Sequence, residues 1–276
     1  MEFFQIVILA LVQGVTEFLP ISSSAHLLLP SSLLGWPDQG LAFDVAVHVG
    51  SLLAVMIYFR DDILRLITAW FGGLNRGVEL SASEQQDCRL AWFIILGTIP
   101  AGLAGLLFND FIEAHLRSIA VVAFTTIAFG LLLQVADRRH SRDLESNVKT
   151  LANLTVKAVI FIGICQAFAL IPGTSRSGVT ITAALFLGIG RTDAARFSFL
   201  LSIPIIVLSG GFKAIELLNE DSVPWLELLL GASLSAISAY ACIHYFLSYI
   251  NRLGMLPFVI YRLGLGGVLA WIAWSV

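Results

Sequence analysis

Apolar positions fall in long runs along this chain, and polar positions are bunched between them. The runs include "LAFDVAVHVGSLLAVMIYF", "LAWFIILGTIPAGLAGLLF", "IAVVAFTTIAFGLLLQVA", "FSFLLSIPIIVLSGGF", "WLELLLGASLSAISAYACIHYFL" and "MLPFVIYRLGLGGVLAWIAW". A bilayer core takes about 20 apolar residues of helix. Lipid offers no partner for open backbone groups, so each run is expected to be helical. The pattern predicts six full spans, about 41–60, 90–107, 118–136, 193–213, 226–247 and 257–275. Two further apolar regions, 1–40 and 154–192, are interrupted by polar residues with Pro or Gly. Each reads as a re-entrant hairpin of two short helices.

Composition strengthens this reading. Only 13% of the residues are charged, against about 25% in a soluble domain, and the mean hydropathy is +0.88. The net charge of −3 points to no nucleic-acid partner. Cys88, Cys165 and Cys242 are scattered and predict neither a disulfide frame nor a metal cluster. The start, "MEFFQIVILALVQG", lacks a basic leader and a small-residue cleavage site, so it is expected to stay in the mature protein. Basic residues gather in two loops, Arg60, Arg65, Arg76 and Arg89 in one, Arg138, Arg139, Arg142, Lys149 and Lys157 in the other. The positive-inside rule places both in the cytoplasm, with Arg252 in the last short loop. The loops near 108–117 (Asp110, Glu113, Arg117) and 214–225 (Glu216, Glu220, Asp221, with Lys213 at the edge) then lie outside. The first hairpin begins and ends outside, the second inside.

The two hairpins are alike. Gln13 precedes "PISSS" at Pro20, and Gln166 precedes "PGTSRS" at Pro172. Aligned on proline, Ser22 meets Thr174, Ser23 meets Ser175 and Ser24 meets Arg176. Each hairpin leads into a span carrying a polar pair one turn apart, Asp44 and His48 or Ser198 and Ser202. The expectation is one membrane domain of two inverted halves, about 1–136 and 154–276. Transporters built this way form a site where broken helices meet near the midplane.

The breaks carry the candidate chemistry. Glu17 lies four residues after Gln13, on one helix face. A carboxylate at that depth costs about 2.5–3.5 kcal/mol on insertion scales, which marks Glu17 as a metal ligand, a general base or an interfacial residue. Pro20 ends one short helix, and Ser22, Ser23 and Ser24 start the next. Serines there cap a helix, and a helix start also binds anions. A hydroxyl at that place can donate to a phosphate or attack it. His26 follows within a turn and is the usual kind of general acid or base. In the second tip, Gly173 permits close backbone approach. Thr174, Ser175, Ser177 and Thr180 offer hydroxyls, and Arg176 offers a fork for phosphate oxygens or a partner for Glu17. Asp44 and His48, with Ser51 a turn on, form a polar stripe expected to back the cavity. Arg191, Asp193 and Arg196 read as an interfacial helix start. These residues describe a pocket for a phosphorylated lipid headgroup.

"QGVTEFLPISSSAHL" and "PGTSRSGVT" resemble the two signature motifs of the bacterial undecaprenyl-diphosphate phosphatases, also called bacitracin-resistance proteins. The likeness extends through "FDVAVHVGSLLAV", "FSFLLSIP" and "LPFVIYR" and covers essentially the whole chain. It implies a multi-pass enzyme of the bacterial inner membrane, opening to the periplasm. Such an enzyme hydrolyses undecaprenyl diphosphate to the monophosphate and inorganic phosphate, recycling the carrier for cell-wall synthesis. The family's catalytic positions match Glu17, Ser23, Ser24, His26 and Arg176. The resemblance also implies a divalent cation, Mg2+ or Ca2+, near Gln13 and Glu17. Gln13 stands where many members have Glu, which removes one negative charge. Ser23 is the first choice of nucleophile and His26 the second; a water activated by Glu17 or His26 is the third route. The competing reading is a transporter or flippase for a polyisoprenyl phosphate. The other class of membrane lipid phosphatases is disfavoured, because the chain lacks a Ser-Gly-His triplet.

Overall fold

The structure is a computed structural model that describes residues 2–37, 39–75, 79–143, 148–217 and 224–275. Among the described residues eleven α-helices follow one another: α1 Phe3–Phe18, α2 Ser23–Leu34, α3 Gly40–Tyr58, α4 Arg60–Leu74, α5 Ala82–His115, α6 Ile119–Asp143, α7 Val156–Ala167, α8 Arg176–Phe186, α9 Arg191–Leu217, α10 Trp225–Leu253 and α11 Leu256–Ser275. Short 3₁₀ turns lie at Leu151–Asn153 and Phe168–Leu170. Among the described residues six helices, α3, α5, α6, α9, α10 and α11, are long and apolar enough to cross a membrane. The protein is therefore an all-α, multi-pass membrane protein. Each interrupted region holds two short helices, α1 with α2 and α7 with α8.

The loops are shorter than the charge pattern suggests. The segment read as a basic loop, 60–89, contains α4 and the first turns of α5. Its charges end the apolar run without ending the helices. On α4, Leu66 and Ala69 are buried, while Leu64, Ile67, Phe71 and Leu74 form an exposed apolar stripe, the pattern of a helix lying in a membrane interface. Arg65 pairs with Asp62 at 2.5 Å and with Asp87 at 3.5 Å. Likewise α5 runs on to His115, so the turn expected at 108–117 shrinks to its last residues. Arg76, Glu220 and Asp221, and the middle of the 137–157 loop, lie outside the described residues, as do the side chains of Arg142, Glu113, Lys213 and Glu216.

Packing is reciprocal between the two halves of the chain. Helix α10 packs mainly on α3 and α1, α5 packs on α7 and α9, and α6 pairs with α11. Each half thus lends a long helix to the other half's broken pair. Lipid removes the hydrophobic drive between spans, so close van der Waals fit through small residues must hold them. A Cβ at Gly14 would lie 2.4 Å from the Ser235 carbonyl oxygen, and one at Gly50 would lie 2.1 Å from that of Ala232. One at Gly163 would lie 2.7 Å from the Gly97 carbonyl oxygen. Gly50→Val is expected to push α3 off α10 and lower stability by about 1–3 kcal/mol or more, read as a lower unfolding temperature in detergent. The largest buried cluster surrounds α9, where Phe197, Phe199 and Leu201 meet Phe18 of α1, Ile162 of α7 and Ile243 of α10. This cluster supports both breaks from one side.

Candidate active site

The site is built where the two breaks touch. In the first, α1 stops at Phe18 and α2 starts at Ser23. In the second, the 3₁₀ turn closes at Leu170 and α8 starts at Arg176. The residue before each new helix has a positive φ, 75° at Ser22 and 69° at Ser175. These are the non-glycine positive-φ residues among those described. Such a conformation costs about 1–3 kcal/mol unless its surroundings fix it. Each tip also pairs its hydroxyls in the same way, Ser22 Oγ with Ser24 Oγ at 3.1 Å and Ser175 Oγ with Ser177 Oγ at 3.2 Å.

That likeness corrects the register expected from proline. Ser22 corresponds to Ser175, Ser23 to Arg176 and Ser24 to Ser177. The second tip has one more residue between its proline and its helix, because Gly173 and Thr174 stand where Ile21 stands alone. Gly173, at φ 88°, takes a turn no β-carbon would fit: a Cβ there would lie 2.2 Å from Thr125 Oγ1.

The tips are stitched together directly. Ser177 Oγ donates to the Leu19 carbonyl at 2.8 Å, and the Gly173 amide donates to Ser24 Oγ at 3.2 Å. Behind them lies Arg262 of α11, fully buried. Its guanidinium donates to the carbonyls of Pro20 (3.2 Å), Gly173 (2.9 Å), Thr174 (3.0 Å), Thr125 (3.4 Å) and Thr126 (3.0 Å). Thr125 and Thr126 of α6 also donate through their hydroxyls to Pro172 and Gly173. Neither Arg262 nor these threonines stood out in the sequence. The signal was available: Arg262 is a lone cation inside the last apolar run, the same anomaly that marked Arg176.

Glu17 is the centre toward which the expected residues converge. Its Oε2 accepts from Ser23 Oγ at 2.8 Å and from Gln13 Nε2 at 3.1 Å. Its Oε1 lies 3.4 Å from an Arg176 terminal nitrogen, and His48 Nε2 lies 3.8 Å from Oε2. The Glu17 and Arg176 side chains are 8% and 11% exposed, so their pairing is largely desolvated. Arg176 further donates to the Ser198 carbonyl at 3.0 Å and lies over the Phe18 ring. Its Nε is buried without a hydrogen-bond partner among the described residues, as are Gln13 Oε1 and Thr174 Oγ1. The second tip therefore holds unused donors and α1 an unused acceptor.

The remaining expected residues divide. Thr180 Oγ1 bonds Ser198 Oγ at 2.7 Å and backs Arg176. Ser175 Oγ caps α8 by accepting from the Gly178 amide. Ser22 makes no such cap bond to α2, which leaves the first amides of α2 open. His48 approaches Glu17 itself, closer than a supporting role requires, and its Nδ1 donates to the Asp44 carbonyl at 2.7 Å. The Asp44 carboxylate accepts from Gln39. Ser51, expected on the same stripe, turns to Ser235 of α10 at 3.0 Å, because α3 rotates that face into the α3–α10 seam. Ser202 bonds the Phe199 carbonyl on its own helix. Arg191 and Arg196 are more than a polar helix start: Arg191 pairs with Asp137 at 2.6 Å and Arg196 with Asp62 at 3.1 Å. His26 has both ring nitrogens engaged, Nδ1 with the Ser22 carbonyl and Nε2 with Tyr261 Oη, each at 2.7 Å.

A divalent cation would find few protein ligands at this site. No group of three or more His, Cys, Asp or Glu suited to a metal occurs among the described residues. A hard cation that keeps phosphate oxygens and water as most of its ligands needs only one or two carboxylates from the protein. Glu17, with the unpartnered Gln13 Oε1 beside it, fits that mode.

Comparison with known proteins gives one answer. The family model described as "Bacitracin resistance protein BacA" matches residues 6–268. Proteins named undecaprenyl-diphosphatase from Saccharophagus degradans and Teredinibacter turnerae are each 60% identical to this chain, over 274 and 271 residues. These alignments cover 99% of this chain and of the relative in the first case, and 98% of each in the second. The relative of the same name from Hahella chejuensis is 56% identical over 275 residues. With both broken-helix motifs inside the matched length, the chain belongs to the bacitracin resistance protein BacA family.

Proposed function

We propose that this chain hydrolyses undecaprenyl diphosphate to undecaprenyl phosphate and inorganic phosphate, and so recycles the lipid carrier of cell-wall synthesis and confers bacitracin resistance. The observation that carries the mechanism is the 2.8 Å hydrogen bond from Ser23 Oγ to Glu17, with Arg176 on the other carboxylate oxygen. A hydroxyl donating to a buried carboxylate is a nucleophile paired with its base. Ser23 Oγ attacks the terminal phosphorus while Glu17 takes its proton. The bond from that phosphorus to the bridging oxygen breaks, and the lipid monophosphate leaves with the bond's electron pair. Glu17 passes that proton to the departing lipid phosphate. Water then attacks the phosphoserine and gives a proton to Glu17, which hands it to Ser23 Oγ as the phosphorus–Oγ bond breaks, so that phosphate is released with Ser23 restored. Arg176 and the open amides at the start of α2 neutralise the charge that grows on the phosphoryl oxygens. A divalent cation, Mg2+ or Ca2+, would be held by Glu17 and Gln13 and would supply further neutralisation of the diphosphate.

The exchange of α5 and α10 between halves and the matched tips support an inverted repeat of about 1–136 and 154–276. Membership of a bacterial family with motifs of this kind supports an inner-membrane enzyme whose site faces the periplasm. The same packing also suits a carrier of polyisoprenyl phosphates, and one assay separates the readings. Purified protein given farnesyl diphosphate is expected to release inorganic phosphate, and to stop when the cation is chelated. No release with any divalent cation, or equal release by Glu17→Ala and Arg176→Ala, would overturn the hydrolase.

A further inference from the structure

We infer that His26 is a positioning residue, neither nucleophile nor base, and that Tyr261 locks it in that role. The inference rests on the reading of the site as a phosphatase and assigns one of its residues a different task. The Ser22 carbonyl can only accept, so the ring nitrogen 2.7 Å from it, Nδ1, must carry the proton. In the neutral ring Nε2 is then a bare acceptor, and the Tyr261 hydroxyl donates to it at 2.7 Å. The two rings are nearly parallel, 7° apart and stacked with centroids at 5.5 Å. No lone pair is left to strike phosphorus or to take the Ser23 proton.

One of these bonds, from Nδ1, lands on a strained residue. Ser22 has φ 75°, which a side-chain-bearing residue holds only when its neighbours fix it. The His26 bond fixes its carbonyl from within α2. The Ser22 peptide in turn sets the direction of Ser23, the residue aimed at Glu17. The corresponding place three residues after Arg176 in the second tip is Val179. There Ser175, with the same positive φ, is steadied by its own cap bond to Gly178. Ser22 lacks such a bond, and His26 supplies the fixing in its place. Tyr261 is neighbour to Arg262, so the α11 segment that clamps both tips also sets the ring state of His26.

The two ring positions can be separated chemically. The amide nitrogen of Asn lies the same number of bonds from the backbone as Nδ1, so His26→Asn can keep the bond to Ser22 while abolishing any chemistry at Nε2. With purified protein and farnesyl diphosphate, His26→Asn is expected to hold kcat within about threefold of the parent, and His26→Ala to lose about thirtyfold or more, with KM little changed in both. Tyr261→Phe should lower kcat by about three- to tenfold alone and have no further effect in the His26→Asn background. Nitrogen NMR of histidine-labelled protein, with His26→Asn for assignment, should show Nδ1 protonated and Nε2 bare. The inference is overturned if His26→Asn is folded yet as inactive as His26→Ala, or if Nε2 carries the proton in the parent. A parent that releases no phosphate would overturn the phosphatase reading instead, and the NMR result would still decide the ring state.

Discussion

Ser23→Ala is expected to lower phosphate release from a polyisoprenyl diphosphate by at least about a thousandfold, with helical content and unfolding temperature unchanged. Ser23 is the first residue of α2 and its hydroxyl meets Glu17 at 2.8 Å. Removing Oγ takes away the nucleophile without opening a cavity of any size, so stability should barely move. Glu17→Gln should fall by a similar factor for a different reason. The amide cannot accept the proton, and general-base help is itself worth about a hundred- to ten-thousandfold. Its loss also leaves Arg176 buried without its anion, so this variant should be less stable as well. Quenching the parent's reaction in denaturant at alkaline pH, before turnover is complete, and mapping the label should find phosphoserine at Ser23 only. Phosphate on histidine, or turnover by Ser23→Ala within tenfold of the parent, would remove Ser23 from the mechanism.

Arg262→Met is the second large effect, and here the fold itself should give way. One guanidinium serves five backbone carbonyls drawn from both tips and α6. Each buried carbonyl left unpaired costs about 1–3 kcal/mol, so the variant should lose at least about 3 kcal/mol. Measured as thermal unfolding in detergent, the midpoint should drop sharply, and activity should vanish with it. Arg262→Lys should fall between, because an ammonium has three donors and no planar fork. Parent-like unfolding of Arg262→Met would show that water or lipid groups satisfy those carbonyls instead.

Much of the site was legible because lipid makes polar residues conspicuous. Glu17, Ser23 and Arg176 stood out against an apolar background, and the structure gathers them around one carboxylate. The six long helices were legible for the same reason. What escaped detection depends on facts outside hydropathy. Helix α4 was hidden because Arg60, Asp61, Asp62 and Arg65 break the apolar run, while its i, i+3, i+4 pattern persists at low hydropathy. The register of the tips was misread by one residue because proline is a poorer marker than the positive φ two or three residues later. Arg262 sat in a span already explained as a membrane crossing, and its many partners are backbone carbonyls, which no side-chain pattern announces. His26 was noticed, but its partner Tyr261 lies 235 residues away.

The exchange of long helices between halves has a consequence for biosynthesis. Helix α1 is made before α10, yet the residue whose thiol bonds its Val15 carbonyl, Cys242 of α10, is 227 positions downstream. Until α10 arrives, the first broken pair, with its carboxylate and three serines, has no wall on that side. Helix α5 makes the converse provision, since it is made before the α7–α8 pair it will cover. The second tip gains its α5 cover as soon as it is made, but both tips close only when α11 brings Arg262 to their carbonyls. Ribosome-bound chains that end short of α11 should accordingly leave a cysteine placed in either tip reactive to thiol reagents, and release of the full chain should protect both.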